Sequence, residues 1–450
     1  MHTIRETIDF YHDRLTPAAA AETAGQLTDQ QRRRGLFFGD RPLCTVLRPR
    51  FLRVEEYRAI QTAIRAIMPA FQKAHAAALA DADFRYQFRL NEWEEELIHT
   101  DPGFAAASPT ARMDTFFDEA DHLYLTEYNA ETPAAIAYND VLTEVFYGLP
   151  VMREFEKTYD VRPLPGRHHM LHALLDAYRQ WGGTEKPRIA ILDWHEVPTY
   201  SEFVLFQDYF HSQGYECVIA DPRDVTYQNG RLYAAGAPVH VIYKRVLISE
   251  LVQRGGLEHP VVRAVRERAV CMVNPFVCKI LHKKASLAVL SDEANARLFT
   301  PAERAAIERY VPWTRLVADR ATTYGGGNID LLAFLAKYKH EFVLKPNDEY
   351  GGKGIVLGWE VDQSQWEAAL RAALTEPTIV QKRVPVPKFP YASWVDDHVE
   401  IYDRMLDTNP YIWYGAYASG CLTRLSTVAL LNVTAGGGST VPTFVVEKRL

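Results

Sequence analysis

Apolar residues along this chain recur in two periods, and the two sort it into helices and strands. Between 54 and 81, Tyr57, Ile60, Ile64, Ile67, Met68 and Phe71 fall three or four residues apart among Glu, Arg, Gln and Lys, which predicts one amphipathic helix packed on a core. Leu123 to Leu125 and their flanks predict a strand running into Glu127, Tyr128 and Asn129. From about 186 the two patterns alternate: RIAILDW (188–194) reads as a strand, SEFVLFQDYFHSQGY as a helix and CVIADP as a strand, with HVIYKRV another strand beyond the turn at Asn229-Gly230. Residues 274–313 read as mainly helical, and Thr300-Pro301-Ala302-Glu303 is a helix start with Thr as cap, Pro first and Glu third. SQWEAALRAAL is a further helix. TIVQKRV is a strand that leads into Val-Pro-Val-Pro, a hinge, and VEIYDRMLD and IWYGAYASGCLTRLS predict paired strands.

The segment 186–285 is therefore Rossmann-like. No GxGxxG follows its first strand, which disfavours a dinucleotide site. Trp194-His195-Glu196 comes where open α/β sheets receive ligands, although His195 reads more readily as an ordinary loop histidine. His168 and His172 have helical i, i+4 spacing without the glutamate of a zinc HExxH motif.

The centre of the chain is EFVLKPNDEYGGKGIVLGW, 341–359. Two apolar runs flank Gly351, Gly352 and Gly354, and Lys345 and Lys353 add positive charge. Glycines let a loop backbone adopt φ > 0 and approach phosphate oxygens closely. No Gly-Lys-Ser/Thr enters a helix, so this is no Walker loop; it reads as a flap over a triphosphate or as an ordinary glycine hairpin. Gly325 to Gly327 read as a flexible connection ending at a helix cap, and NVTAGGGSTVPTF as a late glycine loop. Arg404 and Arg424 are the cations aimed at phosphate near it.

If the strand at 123–129 continues regularly, Glu127 and Asn129 share one face. A carboxylate beside an amide oxygen suits Mg²⁺, a hard cation that keeps phosphate oxygens in its shell, and Asp114 could supply an opposing carboxylate. Alone, the tripeptide reads equally as a solvated strand end. Arg32 to Arg34, Arg48 and Arg50 read as solvated surface, and YIWYGAY as core.

The formal net charge of −7 without a long basic block argues against nucleic acid as the main partner. Five scattered cysteines form no CxxC pair, the first residues have no apolar core of signal-peptide length, and no stretch approaches 18 uninterrupted apolar residues. The expectation is a cytoplasmic protein with no membrane segment.

In order, Arg112-Met113-Asp114, Glu127-Tyr128-Asn129, Lys345-Pro346-x-x-Glu349-x-Gly351-Gly352 and the late glycine loop together resemble a circularly permuted ATP-grasp ligase, similar to the eukaryotic glutathione synthetase and glutathionylspermidine synthase families. In the unpermuted order the flap precedes the metal strands. The resemblance implies an α+β ATP-grasp fold with a Rossmann-like pre-ATP-grasp layer. Its expected division is 1–180, N-terminal helices plus the metal-binding half of the core; 186–285, the substrate layer; 286–385, the lid with its flap; and 386–450, strands completing the core. It further implies ATP and Mg²⁺, with Asp114, Glu127, Asn129 and Glu349 as metal ligands and Arg112 and Arg424 as catalytic cations. Lys284 (or Lys283), Lys345, Gly351, Gly352, Lys353, Gln381, Lys382, Arg383 and Asn432 would bind nucleotide. Gln381 stands where a glutamate is frequent, and neither an amidase domain nor a glutathione-binding motif is recognisable. The activity implied is ligation of a small-molecule or peptide carboxylate to an amine, or to a thiol, through an acyl phosphate. A small-molecule kinase and a non-catalytic nucleotide binder are the rivals.

Overall fold

The computed structural model describes residues 3–427 and 438–449. Its largest sheet is antiparallel and joins distant parts of the chain in the order Lys388–Val395, His398–Leu406, Tyr417–Ser426, Asn409–Trp413, Thr110–Phe117, Leu123–Asn129. Tyr411 pairs with Arg112 and Trp413 with Thr110, so the early strand pair and the C-terminal strands form one surface. The helix Val54–Ala80 lies behind that surface. Ile60, Ile64, Ile67 and Phe71 share one core with Ala111, Met113, Leu125 and Tyr128, and the Phe71 and Tyr128 rings sit 4.8 Å apart. The apolar stripe read from spacing is thus the backing of the early strand pair.

The Rossmann-like layer is a parallel sheet in the order Cys271–Val273, Val241–Lys244, Ile189–Leu192, Cys217–Ala220. Its strands read as unbroken apolar runs because both faces are covered. Ile189 and Ile191 enter the core shared with Phe203, Phe206 and Phe210 of the helix Tyr200–Ser212; Ala190 and Leu192 enter the core on the other face, with Leu251 and Val262. The turn at Asn229-Gly230 belongs to a separate small antiparallel sheet, Thr226–Gln228 with Arg231–Ala234 and Ala237–Pro238.

A second antiparallel sheet, Thr314–Leu316, Thr378–Lys382, Phe342–Pro346, Val356–Leu357, carries the glycine flap between its last two strands. Thr300 caps the helix Pro301–Tyr310 in a full capping box with Glu303. The Gly325 region differs from the flexible connection expected. Ala321–Tyr324 and Gly327–Asp330 pair as a hairpin whose two turn residues, Gly325 and Gly326, have φ of +58° and +82°. Two consecutive left-handed residues match the twist of a tight hairpin, and glycine adopts them without steric cost. Asp330 then caps the next helix, as the sequence indicated.

Arg48 and Arg50 correct a second expectation: they are 0% and 1% exposed rather than solvated. Arg48 donates to the carbonyls of Pro49 and Pro390 and stacks on Tyr391, and Arg50 lies over the Phe389 ring. Carbonyls and an aromatic face replace water around Arg48, and an aromatic face lies against Arg50. The core reading of YIWYGAY holds for Tyr411, Ile412 and Trp413, which are buried; Ala416 and Tyr417, at the turn into the next strand, are exposed.

Candidate functional site

One cleft of about 710 Å³ runs between the large sheet and the flap-bearing sheet. The early strands line one side with Arg112, Asp114, Glu127 and Asn129, and the facing side carries Lys345, Gly351, Gly352, Gln381, Lys382 and Arg383. Arg424 and Asp407 line it too, beside Asp114.

A β-bulge explains how Glu127 comes to face the cleft. Asp114 pairs with Glu127 but Thr115 pairs with Leu125, leaving Thr126 as an extra residue. Strict alternation would put Glu127 on the face of Leu123 and Leu125, inside the core. The extra residue resets the alternation. Leu123, Leu125 and Tyr128 stay buried while Glu127 and Asn129 turn to the cleft, the shared face predicted for them.

The site's charges form two alternating sets. Arg112 grips Asp114 with Nε and Nη2 at 2.6 and 3.1 Å, and Arg424 reaches the same carboxylate at 2.7 Å. Arg424 is itself held by Asp407, through Nε at 2.6 Å and its backbone N–H at 2.8 Å. Burial opposes ionisation of Asp114, yet Arg112 and Arg424 outweigh it and hold the carboxyl well below the usual range. In the second set Lys284 Nζ lies 3.1 Å from Glu127, and Lys345 Nζ donates to the Thr126 carbonyl at 3.1 Å and to Gln381 at 2.8 Å. For Glu127, burial is the largest influence and acts upward, but Lys284 and Lys345 keep the group below its ordinary value. Burial drives Lys345 down to about 8, helped by Lys284 and resisted by Glu127 and Asp114.

Lys284, rather than Lys283, reaches the site: it is buried and not among the residues lining the cleft, but it pairs with the cleft residue Glu127, whereas Lys283 points to Glu94 and Asp348 at 2.7 and 3.0 Å. Glu349 is not turned toward Glu127. Its carboxylate meets the exposed Lys353 at 3.2 Å, while its backbone carbonyl accepts from Lys284 at 2.5 Å. Gly351 and Gly352, at φ +66° and +79°, line the cleft in the left-handed conformation expected of the flap. Gln381 is buried and bonded to Lys345 and Thr314. Arg404, aimed at phosphate from sequence, differs: its cross-strand partner is the buried Phe389, and it contacts Ser393 at 3.4 Å on the strand beside it. A one-residue change of parity along the strand separates it from Met405, which does line the cleft. His195 is not among the residues lining the cleft, and Asn432 lies outside the described residues.

Sequence reading missed Asp407, the partner that orients Arg424, and Trp359, which lines the cleft with its ring 4.1 Å from the Arg383 guanidinium. A lone carboxylate at a strand end carries no local signal.

The donor chemistry fits Mg²⁺ bound with a nucleotide. Asp114 and Glu127 are cross-strand partners, with Asn129 two residues on. Among the described residues no group of three His, Cys, Asp or Glu converges as a ready metal cage. Mg²⁺ commonly uses one or two carboxylates and takes its other oxygens from phosphate and water, so this sparse set is suitable.

The sequence pattern of the circularly permuted ATP-grasp type 2 family matches residues 87–426, and the chain belongs to that family. The chain is also similar to a Frankia casuarinae protein that carries the name glutamate–cysteine ligase 2-2, at 24% identity over 461 residues and 95% of this chain. It spans about half the length of that relative, 50%. Among solved structures, a glutathione synthetase-like effector from Globodera pallida superposes with a TM-score of 0.60 at 11% identity, covering 96% of this chain and 98% of that one. This likeness shows the ATP-grasp fold alone.

Proposed function

We propose that this chain is an ATP-dependent carboxylate–amine ligase that works through an acyl phosphate. The observation that carries the reading is the cleft itself, where the carboxylates and amide of one strand pair face Lys284, Lys345 and the glycine flap. Asp114, Glu127 and Asn129 would hold Mg²⁺, which when bound offsets charge on the phosphate oxygens. Lys284 and Lys345 hold the triphosphate, Gly351 and Gly352 cover it, and Gln381, Lys382 and Arg383 line the adenine end.

A carboxylate oxygen attacks the γ-phosphorus and the bond to the β–γ bridging oxygen breaks, releasing ADP. An amine nitrogen then attacks the carbonyl carbon, phosphate departs with the C–O bond electrons, and the amine gives up a proton. Arg112 and Arg424 meet the negative charge that develops, preorganised by Asp114 and Asp407. Flap closure excludes the water that would hydrolyse the acyl phosphate.

The name of the curated relative makes amino acids the first acids and amines to test. ADP release is screened with amino-acid pairs, polyamines and short peptides, with products identified by mass spectrometry. Hydroxylamine is added in place of the amine. A hydroxamate supports the acyl phosphate; a phosphorylated alcohol would identify a kinase instead, and no ADP release with any acid would refute the ligase reading.

A further inference from the structure

Beneath the flap lies a set of buried charges that the proposed chemistry does not use. Lys244, Lys279 and Lys283 are 1%, 2% and 2% exposed, and Glu94 and Glu131 are 0%. Lys279 Nζ binds both oxygens of Asp348 at 2.6 and 2.9 Å and lies 3.3 Å from each of Glu94 and Glu131. Lys283 joins Glu94 at 2.7 Å and Asp348 at 3.0 Å, and Lys244 joins Glu131 at 3.3 Å. Three ammonium groups meet three carboxylates, so the set is neutral only while Asp348 is ionised. Lys279 and Lys283 hold its carboxyl below the ordinary range against the upward push of burial.

Asp348 is a flap residue. Its neighbour Asn347 is 3% exposed and fixed on both sides: its backbone carbonyl accepts from Lys284 N at 2.9 Å, its Oδ1 accepts from Ala285 N at 2.8 Å, and its Nδ2 donates to the Phe88 carbonyl at 2.9 Å. On the other side Glu349 gives its carbonyl to Lys284 Nζ, the same ammonium that sits 3.1 Å from Glu127. Residues 347–349 are therefore joined to the segment that carries Lys279, Lys283 and Lys284. Beyond them the chain changes character: Tyr350 is 57% exposed, and Gly351, Gly352 and Gly354 take positive φ.

We propose that Asp348 is a positioning residue that anchors the base of the flap to Lys279 and Lys283 and thereby presets Lys284 beside Glu127 to receive the triphosphate. The movable part of the flap then begins at Tyr350. The inference rests on the nucleotide reading of the cleft and adds to it the device that selects Lys284 over Lys283. Removing the Asp348 charge leaves three cations sharing two buried anions, and two of those cations, Lys279 and Lys283, sit on the same segment that carries Lys284 and is bonded to the flap base through Asn347 and Glu349. A buried charge that loses its partner is strongly unfavourable, so the local arrangement shifts.

The test measures ATP affinity by calorimetry and amide exchange of 347–349 without nucleotide, in wild type, Asp348→Asn and Asp348→Glu. Asp348→Asn is expected to weaken ATP binding at least tenfold and to speed exchange at 347–349 at least tenfold, and Asp348→Glu to recover most of both. If Asp348→Asn does not fold, Lys279→Met with Asp348→Leu removes a matched charge pair and is read the same way, with faster exchange and weaker ATP binding at a near-normal melting temperature. A folded Asp348→Asn or paired variant with wild-type affinity and exchange overturns the anchor. Wild-type protein that binds no ATP overturns the nucleotide reading itself, whereas the exchange rates are read independently of it.

Discussion

Lys345 gives the sharpest test of the cleft's electrostatics. Its ammonium is buried between Glu127, Lys284, Asp114 and Gln381, and in the free protein it titrates at about 8 rather than 10.5. Triphosphate oxygens placed against it favour the charged form, so binding above pH 8 takes up a proton. Lys345 therefore contributes its full share of affinity below pH 8 and loses it as pH rises, by up to a factor of ten per unit, about 1.4 kcal/mol. The nucleotide's own phosphates are fully ionised above about pH 7 and do not imitate this slope. Lys345→Met removes a charged hydrogen-bond donor, a loss of about 1.5–3 kcal/mol, or roughly 10- to 150-fold in affinity at pH 7. Titration of ATP into both proteins by calorimetry from pH 7 to pH 10 should give curves that converge as pH rises. Buffers of different ionisation enthalpy should report proton uptake by wild type alone. Parallel curves, or uptake unaffected by the substitution, would refute the reasoning. The same depression predicts an opposite effect on the empty protein, because a charged Lys345 opposes folding below pH 8. Lys345→Met should melt above wild type at pH 7, and the gap, up to roughly 3 kcal/mol, should close as pH rises from 8 towards 10.5.

Other outcomes follow from individual contacts. If Arg424 serves the phosphoryl transfer proposed for it, Arg424→Met should lower kcat by about 10²–10³, some 3–4 kcal/mol, with a smaller change in ATP affinity, because it removes a cleft cation held in place by Asp407; equal loss in both would place Arg424 at the triphosphate instead. Glu127→Gln should shift the Mg²⁺ concentration for half-maximal turnover upward by at least tenfold, read by titrating Mg²⁺ at fixed ATP; an unchanged midpoint counts against the metal assignment. Phe71→Ala opens the core behind the Glu127 strand and should cost about 3–5 kcal/mol in chemical denaturation. Gly352→Val forces a β-branched residue to φ +79° and should slow turnover with little change in global stability.

Much of the fold could be read from local pattern, since spacing of apolar residues reports which side of an element meets a core. The helix Val54–Ala80, the Thr300 cap, the Rossmann-like strands and the flap strands each required only a short window. The order of the RxD, ExN and KPxxExGG pieces pointed to the family that residues 87–426 match. Sequence could also nominate Glu127 and Asn129 as a pair, but their exposure to the cleft depends on the Thr126 bulge, which depends on pairing with the preceding strand. The choice of Lys284 over Lys283 depends on buried partners supplied by Glu94 and Asp348, distant in sequence. Likewise, the orientation of Arg424 by Asp407, the turn of Glu349 toward Lys353, and the burial of Arg48 and Arg50 against Pro390, Tyr391 and Phe389 all come from neighbours that meet only in the folded chain.

What the sequence determined by itself is the set of elements and the residue types available for chemistry, because periodicity and glycine conformation are local properties of a chain. Which of several lysines, arginines and carboxylates share the cleft was decided by tertiary structure, because charge pairing and the parity of a strand are fixed by partners up to 310 residues away, the separation of Asp114 from Arg424.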